Sequence, residues 1–234
     1  MIQREVSVII PVFNREAIVA EAIESVLSQD DVDVQVVVVD DGSTDRSFDV
    51  VKEMAAGDDR IVVDALAVNS GVSAARNRAF ELATFPVITF LDSDDLMAPG
   101  RLRTQLAALD DEPDGIVVGC QKIVAQGDAE IPESLRVHSQ TEHVPYTTTM
   151  CATRETFDRL GRFDESYRIG EDLEYLLRSN VLGIPMVKLE EDLVIRRVFG
   201  DNLIADQQGV KRGMIRAVRK HQIRQTRSRR YPSH

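Results

Sequence analysis

Apolar positions recur with two different periods along the first half of the chain. Val6–Pro11 is a short β-rich apolar run closed by Asn14. Ile18, Ala22, Ile23, Val26 and Leu27 then recur at helical spacing within Ala17–Leu27. Val34–Val39 is five valines and a glutamine, the pattern of a strand buried on both faces. Asp40-Asp41-Gly42-Ser43 turns the chain, Thr44–Ala56 reads as a helix and Ile61–Leu66 as a third strand. Ser73–Ala83 predicts another helix, and Val87–Leu91 a fourth strand that ends at Asp92. Pro99 starts a helix that runs to Leu109, because proline is tolerated at the first helical position. Ile116–Val124 is a further strand. Strand, helix, strand at this spacing predicts an α/β fold with a mostly parallel sheet flanked by helices. Such sheets bind ligands at the carboxyl ends of their strands. That rule selects Pro11–Asn14, Asp40–Ser43 and Asp92–Asp95 as neighbours in space.

The second part is less regular. Gln126–His143 is polar and aperiodic and reads as a long loop, a kind of segment that is often functional. Val144–Ala152 returns as a strand, Arg154–Leu160 is a short helix, and Gly161–Glu165 turns. Glu171–Val181 reads as a helix, Met186–Leu189 and Leu193–Val198 as two short strands, and Ile204–Arg224 as a terminal helix.

Composition bounds this picture. The chain has 234 residues, 43% hydrophobic and 29% charged, as expected of an ordinary soluble globular protein with one main core. No apolar stretch is long enough to span a bilayer, and the start lacks the pattern of a signal peptide. Cys120 and Cys151 lie in apolar runs and read as reduced core thiols, so the expected location is cytoplasmic. The charge is unevenly placed. Nine of the 28 Lys and Arg lie between Lys211 and Arg230, and none of the 39 Asp and Glu lies beyond Asp206. Residues 1–206 therefore carry a net charge of -20, which argues against a nucleic-acid-binding body. The basic tail, 207–234, has two readings. In one it packs on the acidic body, since its apolar stripe is thin and the chain has no Trp. In the other it makes a peripheral contact with an anionic membrane surface at the inner face, or with a protein. A homodimer stands beside a monomer as an expectation.

Three clusters carry candidate chemistry. Asp92, Asp94 and Asp95 follow the run Val-Ile-Thr-Phe-Leu. Three carboxylates so close repel one another unless solvent or a cation relieves them, and hard oxygen ligands suit Mg²⁺ or Mn²⁺. Alone the cluster reads as an acidic turn; its strand-end place beside the other two segments favours a metal site. Asp40 and Asp41 can accept hydrogen bonds from a ribose or base, while Asp-Gly also favours a plain turn. Glu171-Asp172 opens a helix, where acids meet the helix dipole and capping competes evenly with a functional role.

Four blocks are similar to successive motifs of family 2 glycosyltransferases. They are Val8-Ile9-Ile10-Pro11-Val12-Phe13-Asn14, Val37-Val38-Val39-Asp40-Asp41-Gly42-Ser43-Thr44-Asp45, Asn69-Ser70-Gly71-Val72-Ser73-Ala74-Ala75-Arg76-Asn77 and Phe90-Leu91-Asp92-Ser93-Asp94-Asp95. They stand in the family's order over the first hundred residues, and the resemblance continues more loosely to about Asn202. It implies a Rossmann-like GT-A fold. By the same resemblance residues 1–206 would form a single domain, 1–110 its nucleotide-binding half and 111–206 its acceptor-binding half. The implied function is metal-dependent, inverting transfer of a sugar from a nucleotide-diphosphate sugar, UDP by default, to an acceptor hydroxyl. Pro11, Phe13 and Glu16 would then line the base and ribose pocket, with Asp41, and Asp40 beside it, on the base or ribose. Arg76 would approach the diphosphate. Asp92, with Ser93 beside it, would meet the ribose or a metal-bound water, Asp94 would be the main metal ligand and Asp95 would support it. Gly170-Glu171-Asp172 resembles the family's general-base motif, with Asp172 as the base and Glu171 second.

One segment departs from the family. Arg196-Arg197-Val198-Phe199-Gly200-Asp201-Asn202 resembles a stretch that often carries a histidine for the metal or diphosphate, and Phe199 stands in that place. Arg196 or Arg197 would still meet the diphosphate, and His138 or His143 is a weaker substitute for the missing ring. This departure keeps a second reading open, a nucleotide-sugar-binding or scaffold protein with a weakened site. A sugar nucleotidyltransferase is disfavoured, since Val12–Glu16 is not a Gly-rich basic loop. A phosphatase is disfavoured too, because Asp-X-Asp follows the fourth strand rather than the first. The acceptor, whether glycan, lipid-linked sugar, peptide or small metabolite, has no motif.

Overall fold

The computed structural model describes residues 1–131, 146–199 and 207–230. In chain order the elements are β1 (Glu5–Val12), α1 (Val19–Leu27), β2 (Asp33–Asp40), α2 (Ser47–Gly57), β3 (Ile61–Ala65), α3 (Val72–Leu82), β4 (Val87–Phe90), β5 (Leu96–Met97), α4 (Arg101–Asp111), β6 (Ile116–Ala125), a 3-10 turn (Thr147–Thr149), β7 (Cys151–Thr153), α5 (Arg154–Leu160), α6 (Glu171–Val181), β8 (Met186–Val198) and α7 (Gln207–Arg230). They form an eight-stranded sheet in the order β3-β2-β1-β4-β7-β6-β8-β5. β1 pairs in parallel with both β2 and β4, so the chain's direction of winding reverses between β1 and β4. Clefts open at the carboxyl ends of the strands at such a point.

Alternation along the strands builds two cores. Val8, Ile10, Val36 and Val38 face α1 and α4, packing with Ile23, Val26, Leu102 and Leu106. Ile9, Val37, Val39, Ile88 and Phe90 face the other way, onto Ala79, Phe80, Phe157 and Tyr175. That is why β2 can be valine at almost every position: both of its faces are covered. On the second side Phe80, Phe90, Phe157, Phe163 and Tyr175 interlock, mostly edge to face, with Phe163 stacked on Tyr175 at 4.0 Å. Such pairs add about 0.5–1.5 kcal/mol each beyond area burial.

The structure departs from sequence expectation in several places. The helix expected from Pro99 begins at Arg101, because Gly100 takes a left-handed conformation (φ 73°) ahead of it. Of the expected Val144–Ala152 strand, residues 144–145 lie outside the described residues, Thr147–Thr149 is a 3-10 turn, and Cys151 and Ala152 pair antiparallel to β4 as part of β7. The two short strands expected near the end are one 13-residue strand, β8, parallel to β6. Its register slips between Val118 and Gln121, where a side chain at Gly119 would collide with Leu193. β5 is a two-residue strand against β8, too short to show a period. Cys151 is buried, whereas Cys120 is half-buried at the slip rather than in the core; both are free thiols. Of the expected loop Gln126–His143, residues 132–143 lie outside the described residues, as do His138 and His143.

α7 is longer at its carboxyl end than the expected Ile204–Arg224, and residues 204–206 lie outside the described residues. It packs on α6 and on the turn before it. Among the described residues no helix is long and apolar enough to cross a membrane.

Candidate functional site

The strand ends open into a cleft of about 640 Å³. Its walls come from the three segments selected above, joined by the β3–α3 loop, the 3-10 turn, the start of α6 and β8. Pro11 and Phe13 line it, with Phe13 40% exposed. Asn14 ties the first two walls together: its N–H donates to Ser43 Oγ (3.0 Å), and its Oδ1 accepts the Thr44 N–H (2.8 Å).

The two acids after β2 have different surroundings. Asp40 is buried, and its Oδ2 accepts the Ser43 N–H at 2.8 Å, so it shapes the turn and does not line the cleft. Asp41 lies on the cleft wall, where its two oxygens accept the N–H groups of Ser70 (2.7 Å) and Gly71 (2.9 Å). Gly42 follows Asp41 at φ 69°, and a side chain there would meet the Val68 carbonyl carbon at 2.6 Å. The turn and the functional reading of Asp-Gly therefore hold together. Glu16 is not in the cleft wall; its Oε2 accepts the Arg46 N–H just ahead of α2 (2.8 Å).

Arg76 is the centre of the arrangement. α3 carries it almost fully buried beneath the cleft, 5.4 Å from the Phe163 ring. Its Nη2 donates to Asp92 Oδ1 (3.0 Å), and its Nη1 donates to Asp172 Oδ1 (3.1 Å) and Glu171 Oε1 (3.4 Å). Burial alone would lower its pKa, but the charges of Asp172, Asp92 and Glu171 outweigh this and raise it. Arg76 lines the cleft, as expected of a residue near the diphosphate, and its guanidinium is engaged there by three carboxylates.

α6 begins after Gly170, whose φ of 89° and missing side chain leave the helix start without a side-chain cap. Glu171 and Asp172 turn to Arg76 instead. Asp172 Oδ1 also accepts a hydrogen bond from the buried Thr147 hydroxyl, while Oδ2 accepts none among the described residues. Burial and the Asp172 charge, opposed by Arg76, push the Glu171 carboxyl up to about 7.

The aspartate cluster after β4 divides its labour. Asp92 is open to the cleft, with its side chain 38% exposed. Asp94 Oδ2 pairs with the Arg15 guanidinium at 3.2 Å. Asp95 is buried and accepts the Arg197 N–H (3.0 Å). Burial, helped by the charges of Asp92 and Asp94, raises its pKa well above its ordinary value, and its bond to Arg197 ties the turn to β8. Ser93 lines the cleft between them.

Arg196 and Arg197 are adjacent on β8 and point to opposite sides. Arg196 lines the cleft, 5.5 Å from the Tyr146 ring. Arg197 is buried on the far side, donating to the Asp94 carbonyl (2.7 Å) and pairing with Glu21, so it braces the acidic turn and does not line the cleft. Phe199, two residues on, lies 5.5 Å from the Arg197 guanidinium and is not in the cleft wall. The structure adds residues that the sequence did not single out. Arg15 and Arg168 line the cleft, Arg168 with a bond to Asn69 Oδ1 at 3.2 Å, and Thr147 supports Asp172 from beneath. The Tyr167–Gly170 stretch is the only sequence signal for Arg168, and Thr147 has none.

The uncharacterized glycosyltransferase EpsJ of Bacillus subtilis is 30% identical over 210 residues, covering 82% of this chain and 60% of that protein. Across eight curated relatives the chain spans 20% to 66% of their length. Among solved structures, S. aureus TarS 1-349 in complex with UDP-GlcNAc aligns with a TM-score of 0.75 at 20% identity, over 94% of this chain and 66% of that one. The mannosyltransferase PcManGT from Pyrobaculum calidifontis, in complex with GDP-Man and Mn2+, gives the same TM-score, identity and coverage. These neighbours have the GT-A fold, and so does this chain. The family model for Glycosyl transferase family 2 matches residues 7–165, from β1 through the turn after α5, and on that match the chain belongs to glycosyl transferase family 2.

Proposed function

We propose that this chain transfers a sugar from a nucleotide-diphosphate sugar to an acceptor hydroxyl by single displacement, with inversion at the anomeric carbon. The observation that carries the reading is the Arg76 hub. It brings Asp92, at the donor motif, and Asp172, at the helix start, onto one guanidinium. The nucleoside would lie against Pro11, Phe13 and Asp41. Arg168 and Arg196, which make no ion pair among the described residues, are the cations on the cleft wall left to meet the diphosphate. UDP is the default donor nucleotide, and TarS, the S. aureus neighbour, was solved with UDP-GlcNAc.

The acidic wall fits a divalent cation. Asp94 and Asp92 offer hard oxygen donors, and the Arg15 guanidinium already sits as a cation on Asp94 Oδ2. Among the described residues no three His, Cys, Asp or Glu side chains converge to hold an ion. Mn²⁺ or Mg²⁺ would therefore take its remaining ligands from donor phosphates and water, as Mg²⁺ commonly does. Once bound, such an ion neutralises charge on the leaving diphosphate.

Asp172 acts as the general base. Its Oδ1 is held by Arg76 and Thr147, which leaves Oδ2 to take the proton from the acceptor hydroxyl. The hydroxyl oxygen bonds to the anomeric carbon as the bond to the diphosphate oxygen breaks, and the nucleoside diphosphate departs. A positioned base is worth roughly 10²–10⁴ in rate.

A second reading, nucleotide-sugar binding without efficient transfer, is favoured by Phe199 alone. A donor-hydrolysis screen across nucleotide sugars with Mn²⁺ tests the first reading without needing an acceptor. Asp172→Asn should retain donor binding, measured by calorimetry, and lose turnover by about a hundredfold or more. Full turnover in that variant would move the base elsewhere. Metal-dependent binding with no turnover in the parent chain would establish the second reading.

A further inference from the structure

α7 meets the body through one face only. Gly213 lies against the Ile169 carbonyl so closely that any side chain there would collide with it. Ala217 is buried, Arg216 donates to the Ser166 carbonyl and hydroxyl (both 2.8 Å), Lys220 pairs with Asp164, and His221 Nδ1 lies 3.0 Å from the Leu177 carbonyl. The glycine contact fixes the rotation of the helix about its axis. The opposite face consequently carries the helix's exposed apolar side chains. Met214, Ile215 and Val218 are 51%, 45% and 41% exposed, three of the seven exposed large hydrophobic side chains among the described residues. Lys211, Arg212 and Arg219 stand among them on the same exposed face.

We infer that this face of α7 is a docking surface for an anionic lipid bilayer. Apolar side chains at positions i, i+1 and i+4, interleaved with cations, form the face that an interfacial helix lays into the headgroup region. The charge is complementary to such a surface: no Asp or Glu follows Asp206, so no acid of the helix opposes the anionic lipid. The body takes up the inward cations Arg216 and Lys220, while the apolar residues, the element a purely electrostatic contact with a second copy's acidic body would not need, are turned outward. The helix backs directly onto Ile169 and Gly170, next to Glu171. The inference does not rest on the transfer reaction.

The test is flotation of the full chain with vesicles of phosphatidylcholine alone and of phosphatidylcholine with phosphatidylglycerol. Binding to the anionic vesicles only, weakened by salt, is expected. Met214→Gln, Ile215→Gln and Val218→Gln combined should cut partitioning about tenfold, and Lys211→Glu with Arg219→Glu should cut it by about tenfold or more. Both variants alter exposed positions, and circular dichroism with an unchanged Tm verifies their fold. Absence of binding by the parent chain would overturn the inference, as would unchanged binding by the folded triple variant. A concentration-dependent dimer in sedimentation velocity, lost in the triple variant and with no vesicle binding, would also overturn it and assign the face to a second copy.

Discussion

Thr147 donates its hydroxyl to the same oxygen of Asp172 that Arg76 holds, and in the proposed mechanism this leaves the other oxygen to the acceptor. Thr147→Val should retain donor binding and lower kcat by about ten- to a hundredfold, because small misplacements of a base are costly; Thr147→Ser should restore most of it. Glu171 has a different signature. Its folded pKa of about 7 lies above its ordinary 4.5. Below about pH 4.5 the group is protonated in both states, and the stability tied to its neutral form is fully present. That stability is lost as pH rises through about 7 and the buried group must ionise. Glu171→Gln should therefore raise the unfolding free energy by about 1–3 kcal/mol near pH 8 and leave it unchanged near pH 4, as read from denaturant titrations at the two pH values. Asp41, Asp92, Asp94 and the Glu171-Asp172 pair were legible as site candidates because acids at strand ends and helix starts stand out from the apolar pattern. Arg168 and Thr147 were not, since their relevance comes from contacts across the fold. Arg196 and Arg197 could not be told apart until the pleat of β8 showed which one faces the cleft.

Among the elements, β8 departs most from its sequence pattern. Glu190, Glu191 and Asp192 interrupt its apolar run and read as a break, yet all three are exposed while the backbone pairs with β6 on either side of the slip. Gly119 makes this possible by leaving room for the Leu193 side chain. Gly119→Val should destabilise the protein by about 1–3 kcal/mol through overpacking, measured as a lower denaturation midpoint with an unchanged m-value. The helices α5 and α6 were legible to the residue, since their apolar spacing is flanked by turn residues. The 3-10 turn was not, because three threonines carry β propensity and only the fold bends them.

At the scale of the whole molecule, Arg76 joins two regions of sequence. It comes from α3, pairs with Asp92 after β4, and reaches Glu171 and Asp172 from the later half. Removing it leaves three carboxylates facing one another without a counter-charge. Arg76→Met should cost about 3–5 kcal/mol, with a smaller loss in acid, and chemical denaturation at two pH values would show it. The mostly parallel sheet followed from the strand–helix rhythm, whereas the outward rotation of the apolar stripe on α7 depends on a glycine contact that no periodicity reveals.

The sharing of one guanidinium also makes the two halves of the cleft thermodynamically linked. A positive charge that arrives at Asp92 competes with Arg76 for that carboxylate and leaves the guanidinium more fully to Glu171 and Asp172. By reciprocity, whatever neutralises Asp172 strengthens the hold of Arg76 on Asp92. Charge that arrives on one side of the cleft is thus felt on the other through the shared guanidinium.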